Sequence, residues 1–122
     1  MITENYCSFE VAKLLKEKGF EQLCDYAYTN KGNYFEVDRS TFDEIYCYRP
    51  TLQMDLKWLR EKYNILADIG YDDLDWFWNI ISISEKVPVE DRPKFITQGT
   101  ACHKTYEEAV ETALKYVLTN LI

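Results

Sequence analysis

TYEEAVETALKYVLTNLI, residues 105–122, is the stretch that decides the fold. Its apolar residues recur with the period of an α-helix and form one continuous stripe. The stripe consists of Ala109, Val110, Ala113, Leu114, Val117, Leu118 and Leu121. Thr105 with Glu108 three residues later is a capping-box pattern, and Glu107 adds a second negative charge at the positive helix end. The stretch predicts a C-terminal helix with one face in the core.

Two further helices are predicted upstream. The first runs from about Ser8 to Lys18, because apolar residues recur at helical spacing after Ser8 and Gly19 can end the helix in a left-handed conformation. The second follows Pro50–Thr51, where apolar residues again mark one helical face. These apolar residues are Leu52, Leu56, Leu59 and Tyr63.

Aromatic and alternating runs predict the strands. Residues 26–29 and 34–37 flank an Asn- and Gly-rich turn and read as a hairpin. Further strands are expected at residues 65–69, 76–85 and 94–97, with a turn at 72–75 between the first two of these. Residues 38–50 read as irregular.

The predicted order is therefore α-β-β-α-β-β-β-α, without an internal repeat or linker. At 122 residues the chain has the usual size of one domain. Strands that are joined by short turns favour antiparallel pairing. We expect an α+β fold in a single domain over residues 1–122, with one antiparallel sheet and helices packed mainly on one face.

The charge restricts the classes of partner. Fourteen Lys and Arg stand against 21 Asp and Glu, a net charge of −7. This charge disfavours nucleic acid and anionic membrane as partners and leaves basic proteins and cations open. The α-β-β-β-α order resembles double-stranded RNA-binding domains, but the last helix opens with Glu107, Glu108 and Glu111 where those domains place Lys.

The sequence also predicts a cytoplasmic chain. It shows neither a signal peptide at its start nor an apolar run long enough to span a bilayer. Its four cysteines are far apart and are expected to be free thiols in a reducing compartment. They are Cys7, Cys24, Cys47 and Cys102.

No metal or cofactor is predicted. The cysteine spacings do not match a zinc site, and no glycine-rich phosphate-binding motif occurs in the sequence. Asp72, Asp73 and Asp75 read as a solvated turn. Cys102 beside His103 allows an alternative hypothesis, a small enzyme whose site also draws on scattered carboxylates and tyrosines. We regard catalysis by this pair as the less favoured hypothesis, because catalytic partners normally meet across a fold.

The aromatic content points to an interface. Ten Tyr, six Phe and three Trp are many for 122 residues, and tyrosine and arginine are favoured in binding surfaces. A short hairpin cannot cover both of its faces, so we expect an interface with another protein or a second copy of the chain. The candidate residues are Tyr26, Tyr28, Tyr34, Tyr46, Tyr48 and Arg49.

Three strings add a resemblance. They are SFEVAKLLKEKGF at residues 8–20, PT at 50–51 with KWLRE at 57–61, and YEEA at 106–109. Together they resemble a group of short uncharacterised proteins that are common in anaerobic gut bacteria and their phages. The resemblance implies a phage or mobile-element setting and brings no activity or site residue. The favoured hypothesis is a non-enzymatic interaction module; the alternatives are the small enzyme and an acidic mimic of nucleic acid.

Overall fold

The secondary structure keeps the predicted order and adds one short strand. This computed structural model describes residues 2–83, 94–99 and 103–122. Its elements are α1 (Phe9–Glu17), β1 (Tyr26–Tyr28), β2 (Tyr34–Glu36), a 3-10 helix (Arg39–Glu44), β3 (Cys47–Tyr48), α2 (Leu52–Tyr63), β4 (Ile65–Asp72), β5 (Asp75–Ser82), β6 (Lys94–Gln98) and α3 (Tyr106–Asn120).

The helices and antiparallel strands confirm an α+β fold, but the number of sheets differs from our expectation. Every pairing between the described strands is antiparallel, as predicted. We expected one sheet; the described strands form two, with the orders β2-β1-β3 and β4-β5-β6. The first three strands are only two or three residues long, whereas β4 and β5 have eight residues each. Each group therefore pairs locally, on its own side of α2 in the sequence.

The chain divides into two compact units, Met1–Leu52 and Gln53–Ile122. In the first unit α1 contacts β3, and in the second α3 contacts β4 and β5. Each sheet thus has a helix packed against it. A single domain over residues 1–122 stays a prediction.

Helix α1 begins and ends where the sequence predicts. The Ser8 Oγ accepts a hydrogen bond from the Val11 N–H at 3.2 Å, which caps the first turn. Gly19 has a φ of 89° and ends the helix in the left-handed conformation that only glycine adopts without strain. Val11 and Leu15 lie fully in the core.

Helix α3 uses a variant of the predicted cap. The Glu108 N–H donates to the Thr105 Oγ1 at 3.1 Å, as a capping box requires. The Glu108 carboxylate accepts from the N–H of Lys104, one residue before the cap. The predicted stripe is buried except for Leu121, which is half-buried because it follows the last helical residue.

The β4–β5 hairpin turns at Asp73 and Leu74, within the predicted turn. Both residues have positive φ, 44° and 83°, the pattern of a tight hairpin turn. In β4, Gly70 lies directly opposite Phe77 of β5. A Cβ added to Gly70 would stand 2.8 Å from Cε1 and Cε2 of Phe77 and closer still to Cζ. The Phe77 ring therefore occupies the space that a side chain at position 70 would need.

The segment 38–50 is more regular than we predicted. The Asp38 carboxylate accepts from the Ser40 N–H at 2.8 Å, and the Asp38 N–H donates to the Thr41 Oγ1 at 2.8 Å. These bonds cap the 3-10 helix, and the hydroxyl and N–H of Ser40 lower the pKa of Asp38. β3 then pairs with β1. Such a short strand forms through its partner rather than through its own pattern, which is why the sequence did not reveal it.

Candidate functional site

Three of the predicted interface tyrosines share one face of the β2-β1-β3 sheet. Tyr28 of β1 lies directly opposite Tyr34 of β2, and Tyr26 lies two residues before Tyr28. Because side chains alternate between the faces of a strand, Tyr26, Tyr28 and Tyr34 point to the same side. The sheet thereby gathers side chains from two strands into one aromatic surface.

Arg49 enters this surface from the end of β3. Its backbone N–H donates to the carbonyl of Tyr26 at 2.9 Å, which places the two residues opposite one another. Its guanidinium carbon lies near four tyrosine rings, within the range of cation–π attraction. The distances to the ring centres are 4.0 Å for Tyr34, 4.6 Å for Tyr6, 5.7 Å for Tyr28 and 5.9 Å for Tyr26. We name Arg49 with these four tyrosines the Arg49 cluster.

Tyr6 joins the Arg49 cluster through the N-terminal segment. It forms an isolated antiparallel bridge with Thr51. The Cys7 N–H donates to the Pro50 carbonyl at 3.0 Å, next to that bridge. The rings of Tyr6 and Tyr26 then meet edge to face, with centres 5.2 Å apart. The segment that precedes α1 is thus pinned beside the residue that follows β3.

A chain of hydrogen bonds fixes the orientation of the guanidinium. The Arg49 Nε donates to the Tyr28 hydroxyl at 3.2 Å. That hydroxyl donates to the Cys7 carbonyl at 2.7 Å, and Tyr28 is only 6% exposed. The buried end of the guanidinium is therefore held by groups that cannot move freely. A partner that contacts the outer end meets a side chain whose entropy is already reduced.

The Arg49 cluster is open on one side. Tyr34 is 61% exposed, and Tyr6, Tyr26 and Arg49 are half-buried. Such an exposed ring, supported by other aromatic rings and a cation, is typical of residues that anchor protein interfaces.

Tyr46 belongs to a neighbouring group around the start of α1. Its ring lies under the Lys16 Nζ at 3.8 Å and 6.1 Å from the Phe9 ring. It also lines an open groove of about 570 Å³ between the β1–β2 turn and the end of the 3-10 helix. The groove is lined by Thr29, Asn30, Lys31, Asn33, Asp43, Glu44, Ile45 and Tyr46.

Tyr48 lies apart from the Arg49 cluster. It pairs with Ala27, so strand alternation places it on the sheet face opposite to Tyr26 and Tyr28. The six predicted residues thus form no single surface. Tyr26, Tyr28, Tyr34 and Arg49 meet around one guanidinium, Tyr46 lies beside Phe9 and Lys16, and Tyr48 faces away.

Sequence reasoning missed Tyr6, Lys16 and Asp55. Tyr6 precedes the first predicted helix, and only its bridge to Thr51 brings it to Arg49. Lys16 occupies an ordinary exposed position of α1 until Tyr46 approaches it. Asp55 is fully buried in the first turn of α2, beside the predicted apolar face. No local pattern reveals the contacts of Tyr6 and Lys16, because both depend on long-range packing, whereas the spacing of Asp55 from Leu52 and Leu59 places it on the predicted apolar face.

The three described cysteines lie in the core. Cys7, Cys24 and Cys47 are buried, and none of them forms a disulfide with another described residue. Burial raises the pKa of Cys47 to about 11, and the positive charges of Lys16 and Lys13 offset this only in part. Cys47 is therefore a neutral thiol at pH 7 and a poor nucleophile.

His103 and Lys104 lie beside the start of β5. Cys102 lies outside the described residues, and His103 pairs through its backbone with Trp76. No group of three or more His, Cys, Asp or Glu residues suited to a metal occurs within residues 2–83, 94–99 and 103–122. The Asp75 Oδ1 lies 3.6 Å from the Lys104 Nζ at the hairpin end.

No helix in the described part of the chain is long and apolar enough to cross a membrane. Comparisons of the chain with protein-family models, curated proteins and solved structures find no match.

Proposed function

We propose that this chain is a non-enzymatic protein-binding module, which binds another protein or a second copy of itself through the Arg49 cluster. The observation that carries the proposal is the exposed Tyr34 ring held 4.0 Å from a half-buried Arg49. Tyrosine and arginine are among the residues that contribute most binding energy in protein interfaces. Covering the exposed part of Tyr34 would contribute about 1 to 2 kcal/mol.

The fixed geometry of the Arg49 cluster supports the same function. Tyr28 is anchored to the Cys7 carbonyl and in turn orients Arg49. A surface that is ordered before binding loses less conformational entropy when the complex forms. The charge of −7 disfavours nucleic acid as the partner, which leaves a protein as the proposed one.

The phage or mobile-element origin is a further part of the proposal. It rests on the resemblance of residues 8–20, 50–51, 57–61 and 106–109 to proteins of gut anaerobes and their phages. The native setting for a partner search is therefore an anaerobic bacterial cell that carries the gene.

The test compares two exposed tyrosines. Tyr34→Ser removes the open ring of the Arg49 cluster, and Tyr71→Ser is the matched control, because Tyr71 is 57% exposed and lies on β4. Self-association is measured by sedimentation, and partner binding by capture from the native cell on the immobilised variants. We expect Tyr34→Ser to reduce association at least tenfold, with melting unchanged and with Tyr71→Ser binding like wild type. Equal association of wild type and Tyr34→Ser would refute the proposal.

A further inference from the structure

The Arg49 guanidinium has donors that no described residue uses. Arginine carries five N–H donors in a planar fork. One of them, at Nε, donates to the Tyr28 hydroxyl at 3.2 Å. In the part of the chain that the structure describes, no ion pair joins Arg49 to a carboxylate. Within the described residues the four N–H groups of the two Nη atoms have no acceptor, so they can bind one that a partner supplies.

The Arg49 side chain is half-buried. The fully buried side-chain atoms without a hydrogen-bond partner, among the described residues, include no atom of Arg49. The Nε side of the guanidinium is held by Tyr28, and the exposed Tyr34 ring lies beside the guanidinium. The chain has 21 acidic residues, yet no internal carboxylate pairs with the guanidinium in the described structure.

We propose that the Nη end of Arg49 is a receptor for one carboxylate, supplied by an Asp or Glu side chain of the partner protein. The inference rests on the proposed function and names the chemistry that the Arg49 cluster recognises. A planar fork of two Nη groups matches the two oxygens of a carboxylate and forms two parallel charge-assisted hydrogen bonds.

The surroundings favour a carboxylate over a phosphate group. A phosphate dianion is usually held by several cations, and Arg49 is the one cation among the residues that define the Arg49 cluster. Lys16 lies over the Tyr46 ring instead. The net charge of −7 also opposes a dianion more strongly than a monoanion. The partner that fits is a protein that presents a single acidic side chain at the contact.

The experiment uses a glutamate analogue as its probe. N-acetyl-glutamate N-methylamide is titrated into the full chain, and the Nε–H resonance of Arg49 and the ring resonances of Tyr34 are followed by NMR. N-acetyl-glutamine N-methylamide is the neutral control. We expect saturable shifts with the glutamate analogue and an affinity at least tenfold weaker for the glutamine analogue. Equal affinities, or shifts that do not saturate, would overturn the inference.

Two substitutions of Arg49 and one control substitution test the fork itself. Arg49→Gln should abolish the shifts of Tyr34, and Arg39→Gln, at an exposed position of the 3-10 helix, should leave them unchanged. Arg49→Lys keeps the charge near the rings but loses the fork, so we expect at least fivefold weaker binding. Full binding by Arg49→Lys, or tighter binding of inorganic phosphate than of the glutamate analogue by wild type, would contradict a carboxylate fork. The wild-type comparison of the two analogues needs no variant and stands even if position 49 tolerates no change.

The two proposals fail in different ways. If Tyr34→Ser loses association but wild type does not bind the glutamate analogue, the interface stands and the carboxylate receptor is wrong. If wild type binds the analogue through Arg49 but Tyr34→Ser associates like wild type, the receptor stands and the proposed function is wrong.

Discussion

Gly70→Ala tests the close approach of β4 and β5. The added methyl group would lie 2.8 Å from Cε1 and Cε2 of Phe77, far inside ordinary carbon–carbon contact. The Phe77 ring must therefore leave its position over Gly70. Overpacking of this kind costs about 1 to 3 kcal/mol of unfolding free energy. We expect Gly70→Ala to lose about 2 kcal/mol.

Removal of the Phe77 ring tests whether this ring causes the loss of unfolding free energy. In a Phe77→Ala background the methyl group meets no ring, and alanine is favoured over glycine in a strand by about 0.5 to 1 kcal/mol. The same Gly70→Ala change should therefore be neutral or stabilising there. The two backgrounds should differ by at least about 2 kcal/mol, the coupling energy of residues 70 and 77.

Urea unfolding of the four proteins, followed by circular dichroism, measures this coupling. Thr119→Ala, at an exposed position of α3, serves as the control and should change the free energy equally in both backgrounds. If Gly70→Ala costs the same with and without the Phe77 ring, the ring does not occupy that space and the reasoning is refuted.

Three further changes test other parts of the structure. Ala113→Asp places a charge at a fully buried position of α3 and should cost about 3 to 5 kcal/mol, whereas Thr119→Asp at an exposed position should leave thermal melting nearly unchanged. Burial raises the pKa of Cys47 from 9.0 to about 11. Because the folded state holds the thiol proton more tightly than the unfolded state, the contribution of Cys47 to the free energy of unfolding is complete below the pKa of the unfolded thiol. This contribution is lost as the pH rises to the folded value. Between ~pH 8 and ~pH 10, wild type should lose about 1 kcal/mol more unfolding free energy than Cys47→Ala in urea titrations, and parallel pH profiles would contradict this. Leu74 is 82% exposed and has a φ of 83°, a conformation that glycine adopts without strain. Leu74→Gly should therefore raise the urea midpoint and increase the free energy of unfolding by about 0.5 to 1 kcal/mol. A lower midpoint would show that the turn is not strained.

The helices could be predicted because their signals are local. Ser8 and Thr105 cap their helices through bonds three residues away, and Gly19 ends α1 one residue after its cap. The spacing of the apolar residues in α3 predicts which face of the helix is buried. Caps and periods of this kind act within a few residues, so a sequence displays them directly.

The sheets could be predicted only in part. The turns that join β1 to β2 and β4 to β5 are local, and both hairpins were predicted. β3 has two residues and no pattern of its own, and its pairing with β1 depends on residues about twenty positions away. The separation into two sheets likewise depends on which strands meet, which no single stretch of sequence determines.

The candidate site, too, could be predicted only where its residues are placed by local structure. Strand alternation in the predicted hairpin already implies that Tyr26, Tyr28 and Tyr34 share a face. The entry of Arg49 beside Tyr26 requires β3, and the entry of Tyr6 requires a bridge to Thr51. Tyr48 was grouped with these residues by composition alone, and the register of β3 places it on the other face.

The pairing of the N-terminal segment with the residues before α2 has a kinetic consequence. Cys7 bonds to Pro50 and Leu52 to Asn5, so both ends of the first unit meet beside Tyr6 and Arg49. Joining chain segments so distant in sequence carries a loop-closure entropy that adjacent contacts do not, and such contacts slow folding. The Arg49 cluster is therefore complete only after the unit has closed on itself, and fraying of the first seven residues removes both Tyr6 and the Cys7 carbonyl that anchors Tyr28. Binding at this surface would then hold the unit closed, so a partner would slow hydrogen exchange at the amides of Cys7 and Leu52.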